Sequence, residues 1–211
     1  TSFPSRRAEN AGILSAWVGS TLVMIVTALV AVPLGVGAGV YLEEYARKNW
    51  LTSIIEINIA NLAGVPSIVW GLMAMGVFIY GFEDWFGRPG DDVVGLGRSI
   101  LTGGLTLGLL VLPIVIVATR EALRSIPQHI REAAYACGAS QWQVVSHHLV
   151  PYGMPGILTG VIIGMARAIG ETAPIITIGA LSFIAFLPES LMDPFTVMPI
   201  QMFNWVSRPD P

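Results

Sequence analysis

Charged side chains are scarce in this chain. Only 12% of its 211 residues are Asp, Glu, Lys or Arg, about half the share found in average soluble domains. Three long stretches, residues 11–42, 57–82 and 99–119, have no charged residue at all. Each is long enough to supply the roughly 20 apolar residues of a membrane-spanning helix. The composition therefore excludes an ordinary soluble domain and predicts an integral membrane protein.

Other absences narrow the function further. The single cysteine, Cys137, excludes a disulfide within the chain. A net charge of -3 and a pI near 5.5 argue against a nucleic-acid partner, which would need a basic patch. No phosphate-binding loop of the form G-x-x-x-x-G-K-[ST] occurs, so the chain is not expected to hydrolyse ATP by itself or to be an enzyme. We expect no cofactor.

The apolar stretches predict an all-α, polytopic bundle with four membrane segments, at about 11–42, 53–82, 99–119 and 155–187. The second segment is expected in two pieces, because Pro66 lacks an amide hydrogen and disfavours helix at Val65. Such a break needs protein or water to satisfy its backbone, and we expect it to face protein. Pro174 is expected to kink the fourth segment, which starts near Pro155.

Polar segments lie between and after these spans, at residues 43–50, 83–98, 120–152 and 188–211. In the second of them, Trp85 and Phe86 are placed to anchor at the membrane surface. The last contains five prolines and is expected to be an ordered loop rather than a span. Lys and Arg are shared equally between the two sides of the membrane, so the positive-inside rule does not orient the chain.

The polar segment 120–152 has the signals of two short helices outside the membrane. Pro127 suits a first helical residue and Gly138 a stop, while Ser140 can cap a second helix through Val145 before Pro151 ends the region. The first helix would carry one face of mostly small residues: Ile130, Ala133, Ala134 and Cys137. Such a face favours docking in a groove of another protein, and it also suits a helix lying on lipid headgroups. Periodicity alone does not decide between the two.

The same segment resembles the EAA loop of ABC-importer permeases. That pattern is E-A-A, three residues, G, nine residues, I, one residue, L-P, and the chain matches it at Glu132-Ala133-Ala134, Gly138 and Pro151. It departs at two positions, with His148 in place of Ile and Val150 in place of Leu. In that family the loop docks into a groove of a cytoplasmic ATPase. The resemblance implies that Glu132, Ala133, Ala134 and Gly138 dock the ATPase, and that residues 43–50 and 120–152 are cytoplasmic.

An ion pair is predicted inside the fourth span. Arg167 and Glu171 are four residues apart and share a helix face with Gly160 and Gly164, the side on which membrane helices pack. Two interpretations stay open: a self-neutralised pair that fixes helix packing, or a polar point on a permeation path, since ions inside a membrane usually mark one. The planar donor fork of arginine suits tetrahedral oxyanions such as phosphate. Arg120 could supply a second positive stop at the mouth of the third span.

Longer stretches resemble the PstA family of permeases of phosphate-specific ABC importers; they are residues 40–46 (VYLEEYA), 167–174 (RAIGETAP) and 199–205 (PIQMFNW). The residues 172–174 are closer to PstA than to its sister PstC. The resemblance implies a MetI-like permease core over residues 1–211, lacking one membrane helix at each end, in the bacterial inner membrane. It also implies phosphate as cargo, a PstC-like sister permease, a PstB-like ATPase dimer and a PstS-like phosphate-binding protein.

Three other functions remain as alternatives. A permease of another oxyanion importer would share every feature above. An ATP-independent anion transporter or channel would use Arg167 and Glu171 but leave the polar segment 120–152 unexplained. An intramembrane enzyme would need several catalytic groups at one depth, and only that pair qualifies. The three histidines, His129, His147 and His148, lack Cys or carboxylate partners at ligand spacing, so no metal site is predicted.

Overall fold

The computed structural model of the chain describes residues 12–81, 96–180, 184 and 186–206. All regular secondary structure in these residues is helical. The helices are α1 (Leu14–Val40, prolonged by a π-helix at Tyr41–Tyr45), α2 (Trp50–Ala63), α3 (Ser67–Ala74, prolonged by a π-helix at Met75–Gly81), α4 (Ile100–Arg124), α5 (Gln128–Ala136), α6 (Gln141–Gly170, with a π-helical turn at Val144–Leu149), α7 (Ala173–Thr177) and α8 (Met198–Val206).

Helices long and apolar enough to cross a membrane are α1 with its extension, α4 and α6. The helices α2 and α3 pass the same test together, as one broken span or a re-entrant loop. The break between them runs from Gly64 to Pro66, which confirms the predicted interruption of the second segment. The prolines at 33 and 113 lie inside α1 and α4 without ending them. The all-α, multi-pass architecture expected from the composition is therefore confirmed.

The predicted bounds of the fourth segment were wrong at both ends. The helix α6 begins at Gln141 and continues through Pro155, so there is no separate second short helix ending before the membrane. Its π-helical turn ends at Leu149, two residues before Pro151, and single π-helical turns inside an α-helix are the usual form of this structure. The helix ends at Gly170 because the ring of Pro174 would clash with the carbonyl of that residue, four positions earlier. Pro174 instead lies in the first turn of α7.

The tail also differs from its prediction as an ordered loop. The helix α8 occupies Met198–Val206, and Pro199 lies in its first turn. Proline is tolerated there because the N–H groups of a first turn have no acceptor within the helix. The N–H of Met198 donates to the hydroxyl of Ser20 at 2.8 Å, which fixes the start of α8 on α1. The predicted interface anchors, Trp85 and Phe86, lie outside the described residues.

Contacts divide the chain into two compact units. The first contains the described residues of Thr1–Leu29, Val65–Leu110 and Arg167–Pro211, and the second contains Val30–Gly64 and Val111–Ala166. Glycines allow close helix contact inside each unit, as is usual in membrane bundles. In the first unit, an added Cβ at Gly71 of α3 would lie 2.6 Å from the Cα of Pro174 in α7. In the second unit, Gly160 of α6 faces the methyl group of Ala118 in α4.

Candidate docking segment and arginine–glutamate pair

The candidate docking segment, residues 127–143, is shaped by its turn residues. Pro127 directly precedes α5. It was predicted as the first helical residue, so the helix begins one residue later than expected. Gly138 has φ +82°, a left-handed conformation that glycine adopts with little strain, and it ends the helix as predicted. The hydroxyl of Ser140 accepts from the N–H of Gln143, whose side chain accepts from the N–H of Ser140 at 2.8 Å. This capping box starts α6.

One side of α5 packs on an apolar cluster of the second unit. The cluster consists of Leu123, Ile126, Val144, Val145 and Leu149, all buried. Ile130 and Ala134 of α5 pack against it, whereas Ala133 and Cys137 are exposed. The predicted small-residue face is therefore divided between the core of this chain and the surface. In the second half of α5 and the turn after it, the residues exposed to a partner are Glu132, Ala133, Tyr135, Ala136, Cys137 and Gly138.

An ion pair and a hydrogen bond join this segment to the end of α1. Arg131 donates to the carboxylate of Glu44 at 2.7 Å, and the Gln141 side chain donates to the carbonyl of Glu44 at 2.7 Å. The segments 43–50 and 120–152, which we expected on the same side of the membrane, are thus in contact. The signal available in the sequence was a pair of acidic residues after one span and several arginines after another. Arg131 and Glu44 are 87 positions apart in the chain, so no local sequence pattern predicts that they pair.

Arg120, expected as a positive stop for an anion, is paired with two carboxylates. Its guanidinium donates to Glu56 at 2.7 Å and to Glu43 at 3.3 Å, and its side chain is only 12% exposed. Arg124, which is 54% exposed, shares Glu43 and also pairs with Glu121. Both arginines, Glu43 and Glu56 line a polar cleft of the second unit. The charge of Arg120 is therefore neutralised in this structure.

Arg167 and Glu171 form the predicted ion pair, with Nε and Oε1 3.2 Å apart. Their position differs from the expectation, because α6 ends at Gly170 and the pair lies at this helix end rather than within a continuous helix. The buried stripe of α6 runs through Gly160, Gly164 and Ala168, since residues four apart advance by about 40° around a helix. The side chain of Arg167, at the edge of this stripe, is 43% exposed, so it is not on the contact face as predicted.

The two partners of this pair have different surroundings within the first unit. The Glu171 side chain is 17% exposed and borders a small, mainly apolar cavity together with Ser20 and Pro199. Among the described residues, no acceptor other than Glu171 is hydrogen-bonded to the Arg167 guanidinium. Glu171 thus holds Nε, and the two terminal nitrogens remain able to donate to an anion. The arrangement can bind an oxyanion without carrying an isolated charge when it is empty.

The histidines of the polar region show no metal-binding arrangement. In the described part of the chain, no group of three or more His, Cys, Asp or Glu residues could hold a metal ion. The Nδ1 atom of His147 lies 2.9 Å from the hydroxyl of its neighbour Ser146. That hydroxyl also donates to the carbonyl of Trp142 in the preceding turn. The contact is therefore local to the start of α6.

Comparison with known proteins gives consistent matches. The family described as "Binding-protein-dependent transport system inner membrane component" matches residues 31–194. The chain is 32% identical over 206 residues to the phosphate transport system permease protein PstA of Yersinia pestis, covering 98% of this chain and 65% of that protein. It is 34% identical over 201 residues to PstA of Haemophilus influenzae, covering 95% and 66%. A Bacillus subtilis protein named "Probable ABC transporter permease protein YqgI" is 33% identical over 202 residues, covering 93% and 65%. The chain therefore spans slightly less than two thirds of the length of each of these relatives.

Proposed function

Because the chain belongs to the family of inner membrane components of binding-protein-dependent transport systems, we propose that it is the permease subunit of an ATP-driven importer of inorganic phosphate. The names of its relatives support phosphate as the cargo. A separate PstB-like ATPase dimer would supply the energy, since the chain has no phosphate-binding loop for ATP. A PstC-like sister permease would complete the membrane part, and a PstS-like protein would deliver phosphate. The complex would reside in the inner membrane.

The observation that carries the phosphate assignment is the half-exposed guanidinium of Arg167, held at Nε by Glu171. Charge-assisted, bidentate hydrogen bonds make arginine suited to phosphate oxygens. Within a membrane segment, a lone cation costs about 2.5–3.5 kcal/mol on insertion scales. Glu171 lowers this penalty in the empty state and fixes the orientation of the guanidinium. Arg167 is therefore proposed as the phosphate contact, and Glu171 as the residue that positions it.

The contribution of Arg120 to the proposed substrate path depends on the conformation of the protein. Its guanidinium is held by Glu43 and Glu56 in this structure. The two carboxylates offset its positive charge, so the guanidinium attracts an anion only after at least one of them has moved away. We therefore place its contribution in a different conformation of the transport cycle from the one described here.

The exposed edge of α5 is the proposed docking surface for the ATPase. It offers Glu132 and Ala133 to a partner, while Ala134 is occupied by packing within the chain. An exposed helix edge of this kind is suited to a groove of a partner protein. The docking segment would then be cytoplasmic, together with residues 43–50, with which it is in contact.

Phosphate uptake by the full complex in proteoliposomes tests the proposal. Arg167→Gln removes the charge, Arg167→Lys keeps the charge but loses the fork, and Arg167→Gln with Glu171→Gln removes the pair without leaving a lone ion. Arg124→Gln, on an exposed arginine outside the first unit, is the matched control. We expect loss of uptake in the first and third variants, strong reduction in the second, and uptake near wild type in the control.

The double variant separates the two interpretations of the pair. If the pair only neutralises itself, removal of both charges restores uptake, and the phosphate contact is refuted. If Arg167 binds phosphate, the double variant stays inactive although the chain is inserted. Uptake by the wild type that persists without ATP or the ATPase subunit would instead support an ATP-independent anion transporter.

A further inference from the structure

We propose that Arg131 and Glu44 form the rigid connection through which movement of the docking segment reaches the end of α1. This inference rests on the proposed function, because it assumes an ATPase that moves α5. It assigns positioning roles to two residues outside both the docking edge and the Arg167 site. The pair lies entirely within the second unit.

Arg131 is fixed from three directions. Its terminal nitrogens donate to the Glu44 carboxylate at 2.7 Å, to the carbonyl of Leu123 at 2.9 Å and to the carbonyl of Ile126 at 3.0 Å. The two carbonyls belong to the last turn of α4 and the residues just after it, where backbone acceptors lack partners within the helix. Arg131 therefore caps α4, belongs to α5 and pairs with the end of α1 at the same time.

Glu44 is held through both its side chain and its backbone. It lies in the π-helical extension of α1, and its carbonyl accepts a hydrogen bond from the Gln141 side chain at the start of α6. The side chains of Arg131 and Glu44 are only 15% and 11% exposed. The neighbouring residue Tyr45 packs on the same apolar cluster as α5. Four helix ends consequently meet around these two side chains.

The geometry favours this pair over the surrounding contacts as the connection. Apolar packing between α5 and the cluster is non-directional, so it permits small sliding movements. A short ion pair with additional carbonyl contacts fixes both distance and orientation. The pair of Arg124 with Glu121 differs, because both side chains are exposed and ion pairs of this kind contribute at most about 1 kcal/mol. Arg131 also directly precedes the docking residue Glu132 along α5, so displacement at one residue reaches the other.

The test is a double-mutant cycle on the full reconstituted complex, with Arg131→Ala, Glu44→Ala and the double variant, and with Arg124→Ala as the control. The measured quantity is phosphate moved per ATP hydrolysed, together with membrane insertion and thermal stability of each complex. Glu44→Ala leaves the Gln141 bond in place, because that bond uses the backbone carbonyl. We expect about a tenfold fall in this ratio for each single variant, and a double variant no worse than Arg131→Ala, as for two residues of one connection.

The outcomes are distinct. A normal ratio in both single variants, even with lower thermal stability, shows a merely structural role and overturns the proposal. Losses that multiply in the double variant show independent roles and also overturn it. If Arg131→Ala fails to insert, Glu44→Gln decides: it keeps the shape of the side chain and removes its charge, so an unchanged ratio refutes the connection. Failure of the proposed function would appear instead in the wild type, as an absence of ATP-dependent uptake.

Discussion

Replacement of Gly138 separates a backbone requirement from a requirement for space at the docking segment. The residue has φ +82°, and a Cβ added there would meet no atom within 4 Å. An L-residue in this left-handed region loses about 1–2 kcal/mol relative to glycine, and asparagine loses less because its side chain can bond locally. No clash adds to this figure. Gly138→Ala should therefore lower the ratio of the native turn to its opened forms by about fivefold or more.

The order of the variants is the informative result. A backbone requirement predicts that Gly138→Asn keeps more ATP-coupled uptake than Gly138→Ala, and that the β-branched Gly138→Val keeps the least. A purely steric requirement of the docked partner predicts that alanine, the smallest of the three, performs best.

Amide hydrogen exchange supplies the matching measurement on this chain. The N–H of Ala139 donates to the carbonyl of Ala134 at 3.2 Å across the turn. In Gly138→Ala its exchange should accelerate by about fivefold, since the local opening becomes easier by about 1 kcal/mol. Unchanged exchange of this N–H together with full uptake in Gly138→Ala would refute the claim that the left-handed conformation at residue 138 requires glycine.

Two further outcomes follow from the contacts. Gly71→Ala should lower the free energy of unfolding by about 1–3 kcal/mol, because the new methyl group meets the Thr177 hydroxyl and the backbone of Pro174. The control is Gly76→Ala, which has open space around its new methyl group in the same helical run. Equal unfolding temperatures of the two variants in detergent would contradict the close contact at Gly71. Glu132→Ala should leave stability within about 0.5 kcal/mol, as for other exposed sites, yet reduce uptake per ATP; unchanged uptake would remove Glu132 from the docking surface.

The membrane segments were predicted correctly where a long apolar stretch is enough to define the span. The spans α1 and α4 follow from long uncharged stretches, and the break before α3 follows from Pro66. The errors arose at other prolines. Pro155 was treated as a helix start, although it lies inside a long helix, and the proline-rich tail was predicted as a loop, although Pro199 stands at a favourable first-turn position.

The ion pair between residues close in the chain could be predicted, but the ion pair between residues far apart could not. The spacing of Arg167 and Glu171 gives their ion pair directly, because residues four apart are neighbours on a helix. Their place at a helix end, and the exposure of Arg167, depend on where α6 terminates. The pairing of Arg131 with Glu44 joins residues far apart in the chain, so it depends on tertiary packing that no local pattern encodes.

The proposed coupling requires that a separate ATPase binds α5. Its most direct test places a photo-crosslinking amino acid at the exposed position Ala133 in the assembled complex. We expect a covalent adduct with the ATPase subunit from Ala133, and no such adduct from Leu158, an exposed apolar position on α6. Crosslinking of Ala133 to lipid alone, in a complex that still imports phosphate, would contradict it.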